Sequence, residues 1–526
     1  MNELNPLGQG VLFSWFILGV GVVAVFRGRW GMLLSLMLGW MFLPMGEVDL
    51  AGIPPINKNT VTAGAALLGV VIFDSAVLRR FKFSKLDIPM AVWCCVPVLS
   101  VMANGPMDSG PDAAPWATSG LKYYDGIALF FTHTVTWGVP WLLGRVYLGD
   151  TRGQRDFLLA MFFMGLIYMP MVAVEMVMSP QWHRWFYGVH GHSDFSQTMR
   201  YGFWRPTVFM QHGLMVAFFM TSTTLAGYTA WKMGMLKKVK GVPSLVPLGA
   251  LGATAVLCMS MGAWIQLVVG VLMIEIVKRK RMPMLLVVLA LIPALYLTAR
   301  MGLGMSADSI EQTVARVSVE RAESIGYRFR NEDMVMEHAM QRPMLGWAGW
   351  GRERIYDQNG KIVGVSDGLW VITLGRYGVV GVISLYAWLL IPAVLALRKL
   401  PTTKGSLAPF AGTIAVVLIV LQLAIDTLPN AMTGPAYVAA AGGLATLASM
   451  RGKLKSPEDL YRWTHRTPDA GAGEDAEPKN EAENQSSAPP PPSRPIVKTK
   501  GKFPLPPAPP SSPFGDTPPK KPSPFD

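Results

Sequence analysis

Charge is scarce in this 526-residue sequence: Asp, Glu, Lys and Arg together make up 15% of it, against about a quarter in soluble proteins. With 51% of its residues apolar, the chain is poorly suited to building several water-soluble domains, and a bilayer is the solvent its composition fits. Cysteine is almost missing. Cys94 and Cys95 are neighbours in one apolar run and Cys258 stands in another, which excludes a disulfide framework and a thiolate metal centre. The formal excess of +13 is broken into short clusters between apolar runs, so it reads as a topology signal and argues against nucleic acid as a partner. The first residues, MNELNPLGQG, lack a basic leader and a small-residue cleavage site, so the first apolar run is expected to persist as a helix. No internal repeat of the kind common in inverted-repeat transporters is visible.

What the chain does have is apolar runs long enough to cross a bilayer. They fall near residues 10–26, 31–46, 58–78, 87–103, 124–147, 156–178, 208–230, 243–260, 262–277, 283–299, 368–397, 407–427 and 431–449. The expectation is an all-α integral membrane protein with about thirteen transmembrane helices. Basic clusters occur in every second connection: Arg27 with Arg29, then 79–85, Arg152 with Arg155, 232–240, 278–281, 398–404 and 451–455. Placing all of them in the cytoplasm puts the N-terminus outside and the C-terminus inside. The long connections 179–207 and 300–366 then lie on the outer side, where long loops are commonly functional. In the second, Val314, Val317, Ala322 and Ile325 recur at near-helical spacing before a Gly-rich turn, which predicts a small helical outer domain. Beyond residue 450 the stretches APPPPSRPIV and PLPPAPPSSP predict a disordered, proline-rich tail, either without a partner or offering extended motifs to an aromatic groove. The chain thus divides into N-terminal helices over 1–190, a membrane region with its outer loop over 191–450, and the tail over 451–526.

Polar residues on the outer side single out two segments. In RYGFWRPTVFMQHG, Arg200, Arg205, Gln211 and His212 surround the start of a helix expected near Pro206. A helix N-terminus beside an arginine suits an anion such as phosphate. In the longer loop stand Arg316, Arg321, Arg328 and Arg330, then RPMLGWAGWG, then Asp367 at the junction with the next helix and Arg376 within it. Asp367 either accepts a proton from a sugar hydroxyl or caps the helix. For each arginine, contact with lipid headgroups is the alternative to a substrate role. His190, His192 and Asp194 form an H-x-H-x-D pattern, but alternation on a loop is weak grounds for a metal and none is assigned. Glu175, Asp74 and Asp426 are ionisable residues within or beside apolar runs, each either paired in the bundle or functional.

These two segments resemble the bacterial O-antigen ligases and O-antigen or exopolysaccharide polymerases. The similarity rests on Arg205, Pro206, Thr207, Phe209, Gln211 and His212, and on Arg328, the turn from Pro343 to Gly351, Asp367 with Gly368, and Gly378 to Gly381. The resemblance implies a periplasmic-face glycosyltransferase of the inner membrane that uses an undecaprenyl-diphosphate-linked glycan, without metal, nucleotide or other cofactor. It implies that Arg205 and Arg328 hold the diphosphate while Asp367 activates the acceptor hydroxyl. Arg200, Gln211, His212, Arg321, Arg330 and Arg376 would be substrate-binding. Ligases commonly carry histidine at the junction, where this chain has Asp367, which inclines the expectation towards a polymerase over an O-antigen or protein O-glycan ligase. Expected partners are the bilayer, the lipid-linked donor, a glycan, lipid or protein acceptor, and polysaccharide-assembly proteins at the tail. A lipid-linked glycan flippase is the alternative of another class; its ionisable residues should lie near the bilayer midplane.

Overall fold

The computed structural model describes residues 4–450 and 452, apart from 51, 105–120, 192–194, 201, 307, 309–310, 313–314, 317–318, 358, 365–366 and 401–406. The tail and two members of the H-x-H-x-D pattern, His192 and Asp194, fall outside these residues.

Among the described residues the fold is helical, with four short two-stranded hairpins. The helices are α1 (Pro6–Phe26), α2 (Gly28–Phe42), α3 (Lys58–Phe73), α4 (Ile88–Asn104), α5 (Tyr123–His133), α6 (Val139–Tyr147), α7 (Thr151–Met178) and α8 (Trp182–Tyr187). They continue as α9 (Gly213–Lys232), α10 (Leu245–Leu257), α11 (Met261–Lys280), α12 (Val287–Leu297), α13 (Val319–Ala339), α14 (Leu369–Lys399), α15 (Ala411–Asp426) and α16 (Pro435–Ala448). Seven helical stretches are long and apolar enough to cross a membrane, and α3, α10, α15 and α16 are shorter apolar helices. The chain is therefore a mostly helical membrane protein, although length and apolarity do not by themselves reach the expected thirteen crossings. The region expected as two runs over 243–277 is divided by a turn at 258–260 into α10 and α11.

Local chemistry explains the starts. Asn5 accepts the Gly8 amide at 2.7 Å ahead of Pro6, and Asn57 with Thr60 forms a reciprocal cap on α3, in each case satisfying amides that have no partner inside the helix. Asp150 does the same for α7 through the Gly153 amide, while its carboxylate also receives Arg29 at 3.1 Å.

Small residues set the closest helix packing. A Cβ added at Gly144 of α6 would stand 1.8 Å from the Ala439 carbonyl of α16, and one at Gly442 would stand 2.3 Å from the Trp141 carbonyl. Helices without a hydrophobic drive between them associate through such close backbone approach. α15 and α16 are buried along almost their whole length, so they form the centre around which the other helices pack. By contrast α1 leaves Ile17 and Val25 more than three-quarters exposed, as expected of a surface that lipid covers.

α14 is not continuous. Gly378 has φ +64° and ψ −164°, a break inside the helix. The segment Pro343–Gly346 seats itself there: the Val379 amide donates to the Pro343 carbonyl at 2.7 Å, and Trp347 and Ala348 amides donate to the Gly375 and Arg376 carbonyls at 2.8 and 2.9 Å. A Cβ on Gly378 would lie 2.3 Å from the Met344 carbonyl carbon, and one on Gly346 2.5 Å from that of Arg376. Both positions therefore require glycine for space as well as for backbone conformation.

Candidate functional site

The helix expected from Pro206 begins seven residues later, at Gly213. The cause is a carboxylate. Glu175, at the end of α7 and 1% exposed, accepts the Thr207 and Val208 amides on one oxygen at 2.8 and 2.7 Å and the Trp182 amide on the other at 2.9 Å. Three main-chain donors converging on one charge are strong bonds, and they hold 205–212 out of helical form, with Val208 at φ +51°. Phe209 is fixed at both ends: its amide donates to the Tyr168 hydroxyl at 3.1 Å and its carbonyl accepts the buried Lys58 ammonium at 2.8 Å.

His212 then caps α9, its Nδ1 accepting the Leu214 amide at 3.0 Å. Arg205 crosses this helix start. It is 6% exposed, its Nη2 donates to the Met259 carbonyl at 3.0 Å, and its Cγ would be 2.2 Å from a Cβ on Gly213. Glycine at the first helical position thus makes the room that the arginine stem occupies. Gln211 between them is exposed. Arg200, on the short hairpin of β3 (Met199–Arg200) with β4 (Phe203–Trp204), is also exposed.

A neutral histidine holds the adjoining loop. His183 Nε2 accepts the Met45 amide at 2.8 Å, so Nδ1 carries the proton and donates to the Val189 carbonyl at 2.6 Å. Burial holds its pKa down to about 4, consistent with an imidazole that must accept at one nitrogen.

The second segment forms a separate arrangement on α13 and α14. The helix predicted in the second loop is present from Val319 as α13, with Val314 and Val317 of the predicting pattern outside the described residues, and it docks through residues that composition did not single out. Arg300, 1% exposed, bonds Asp333 at 2.7 Å, approaches Glu332 at 3.5 Å and lies 5.2 Å from the Phe329 ring centre. The Tyr296 hydroxyl donates to Glu332 at 2.7 Å, and burial raises the Glu332 pKa. Arg328 and Arg330 point away from this contact: both are exposed, and Arg330 pairs with Glu311. Arg321 lies on α13, its side chain outside the described residues. Arg316 is exposed in the preceding turn.

Arg376 does not stand free for substrate. Its Nε and Nη2 both reach Glu353 Oε1 at 2.9 Å. Glu353 is buried and its Oε2 has no hydrogen-bond partner. Beside this pair, His338 stacks on Trp347 with ring centres 4.6 Å apart, and Arg342 lies over the same indole at 4.7 Å while bonding Asn104 at 2.8 Å.

Asp367 is exposed and does not cap α14. The cap position is Gly368, without a side-chain bond, and the Leu369 amide instead donates to the Thr427 and Asn430 carbonyls at 3.0 and 3.2 Å. The capping alternative is thereby removed. The structure thus brings Arg205 and His212 together, and Arg376 with Glu353, while Arg328 and Asp367 have no hydrogen bond or ion pair among the described residues.

Lys58, His183, Arg300 and Glu353 were missed in the sequence. Arg300 left a signal there, as a charge ending an apolar run. Among the described residues no group of three His, Cys, Asp or Glu side chains is placed to hold a metal. The chain matches no model of a known protein family, and no curated protein matches it significantly in sequence.

Proposed function

We propose that this chain is a membrane glycosyltransferase that extends a glycan carried on undecaprenyl diphosphate at the outer face of a bacterial inner membrane, as a polysaccharide polymerase in preference to a ligase. Thirteen crossings result in this reading if the four shorter apolar helices, α2 and α9 are counted with the seven long ones. With the basic clusters inside, the N-terminus and both arginine-bearing segments lie outside.

The observation that carries the reading is Arg205, held across the start of α9 beside its His212 cap. A helix N-terminus presents amide dipoles, and an adjacent guanidinium adds a full positive charge. Together they suit an anion with several oxygens, such as a diphosphate, whose departure they would stabilise as charge develops on it. The position also fits a lipid-linked donor, since in this reading α9 crosses the membrane and starts at its outer surface. In this reading exposed Arg328 and Asp367 engage donor and acceptor only when these are bound, and Arg376 acts through Glu353 as a positioning residue.

The test is glycan analysis in a strain lacking the gene and complemented with variants. Arg205→Ala is expected to abolish elongation while the protein remains in the membrane. Surface glycan reduced to single repeat units indicates a polymerase, and full-length polymer left unattached indicates a ligase. Normal polymer with Arg205→Ala overturns the assignment.

A further inference from the structure

Where α11 packs against α15, a polar cluster is built without any of the arginines described above. Asp426, the last residue of α15, accepts Gln266 Nε2 at 3.0 Å and Asn430 Nδ2 at 3.1 Å, both on Oδ1. Gln422, one turn earlier on the same helix, donates its Nε2 to the Gln266 main-chain carbonyl at 2.6 Å. These bonds fix both glutamine amides, because each nitrogen already faces an acceptor. The oxygens left over, Gln266 Oε1 and Gln422 Oε1, are buried and have no hydrogen-bond partner.

All four residues are more than nine-tenths buried: Gln266 is 8% exposed, Gln422 1%, Asp426 7% and Asn430 8%. Both orphan oxygens belong to side chains of this hydrogen-bonded group. Gln266 Oε1 belongs to the amide that bonds Asp426, and Gln422 precedes Asp426 by four residues, which places the two on one helix face. No Lys, Arg or His is within ion-pair distance of Asp426 among the described residues.

The cluster therefore contains one carboxylate and two unsatisfied amide oxygens, with the amide nitrogens of all three neutral side chains except one hydrogen each already committed. Leaving a buried charge without a counter-charge, and buried acceptors without donors, is costly. The C-terminal end of α15 adds the negative pole of its dipole at the same place. Oxygen donors of this kind suit a hard cation, and a single carboxylate balances a single charge. We propose that the cluster binds a monovalent metal cation of the sodium class, with Asp426 as counter-charge and the Gln266 and Gln422 side-chain oxygens as ligands. The Thr427 and Asn430 carbonyls that follow accept the first amide of α14, so the bound cation fastens the junction of α14, α15 and the loop after α15.

The test is thermal unfolding of the full-length protein in detergent, titrated with sodium chloride against choline chloride at constant ionic strength. Wild type is expected to gain about 2 °C or more as sodium rises well past half-saturation, and choline is expected to do nothing. Asp426→Asn is expected to abolish the sodium-dependent gain. Gln422→Leu, which keeps the charge, is expected to raise the half-saturating sodium concentration at least tenfold. A wild type whose unfolding temperature is the same in sodium and choline overturns the proposal, whatever the variants do. So does an Asp426→Asn protein that folds and retains the full gain.

Discussion

Single residues in this protein act mainly by gathering main-chain groups. Glu175 is the clearest case, since its carboxylate is shared by Trp182, Thr207 and Val208 amides. Glu175→Gln replaces one oxygen by a donor that faces amides, so at least one bond is lost and a like-natured contact takes its place. A loss of about 1–3 kcal/mol is expected, read as a lower unfolding midpoint in detergent together with faster proteolysis of the loop 179–212. Unchanged stability and unchanged cleavage would remove Glu175 from its role as organiser of that loop. In the sequence Glu175 stood out because an ionisable residue in an apolar run needs a reason, and Arg205 because of its place beside a helix start. Lys58 and Glu353 were not legible, because their partners Phe209 and Arg376 are brought to them only by folding.

Secondary elements were legible in their periodicity and less so at their ends. α13 followed from the spacing of Ala322 and Ile325, although the residues that dock it, Phe329, Glu332 and Asp333, are charged or aromatic and meet Arg300 from another helix. α9 begins at Gly213 and not near Pro206, because distant Glu175 competes for the amides that would have opened the helix. The break in α14 was visible as a glycine pair and not as a break, since only the docked segment Pro343–Gly346 gives Gly378 its conformation. Gly378→Ala forces a side chain into positive φ and against the Met344 backbone. A destabilisation of about 2–3 kcal/mol is expected, measured as a lower unfolding midpoint accompanied by new protease cleavage within 340–364. If cleavage there stays at the wild-type level, the segment is held by something other than this seat.

At the scale of the whole molecule, composition and basic clusters conveyed a helical membrane protein, while the number of crossings depends on short helices such as α3 and α10 whose membrane role is set by their neighbours. The proposed orientation makes a direct prediction. With a membrane-impermeant maleimide applied to intact spheroplasts of a strain lacking the native cysteines, a cysteine at exposed Ser306 is expected to be labelled fully. One at exposed Lys238 is expected to label only after permeabilisation. The reverse pattern would put the arginine-bearing segments in the cytoplasm and end the proposed use of a donor on the outer leaflet.

The seat of Pro343–Gly346 in α14 also bears on how the chain is made. The Val379 amide that bonds Pro343 belongs to a residue synthesised thirty-six positions later, inside a helix that must first enter the bilayer. The loop tip therefore cannot finish folding when it is made; it waits for the following helix to arrive. Arrival of α14 and maturation of the segment before it are coupled in this way, and a chain stalled before α14 would leave that segment unfinished and open to proteolysis.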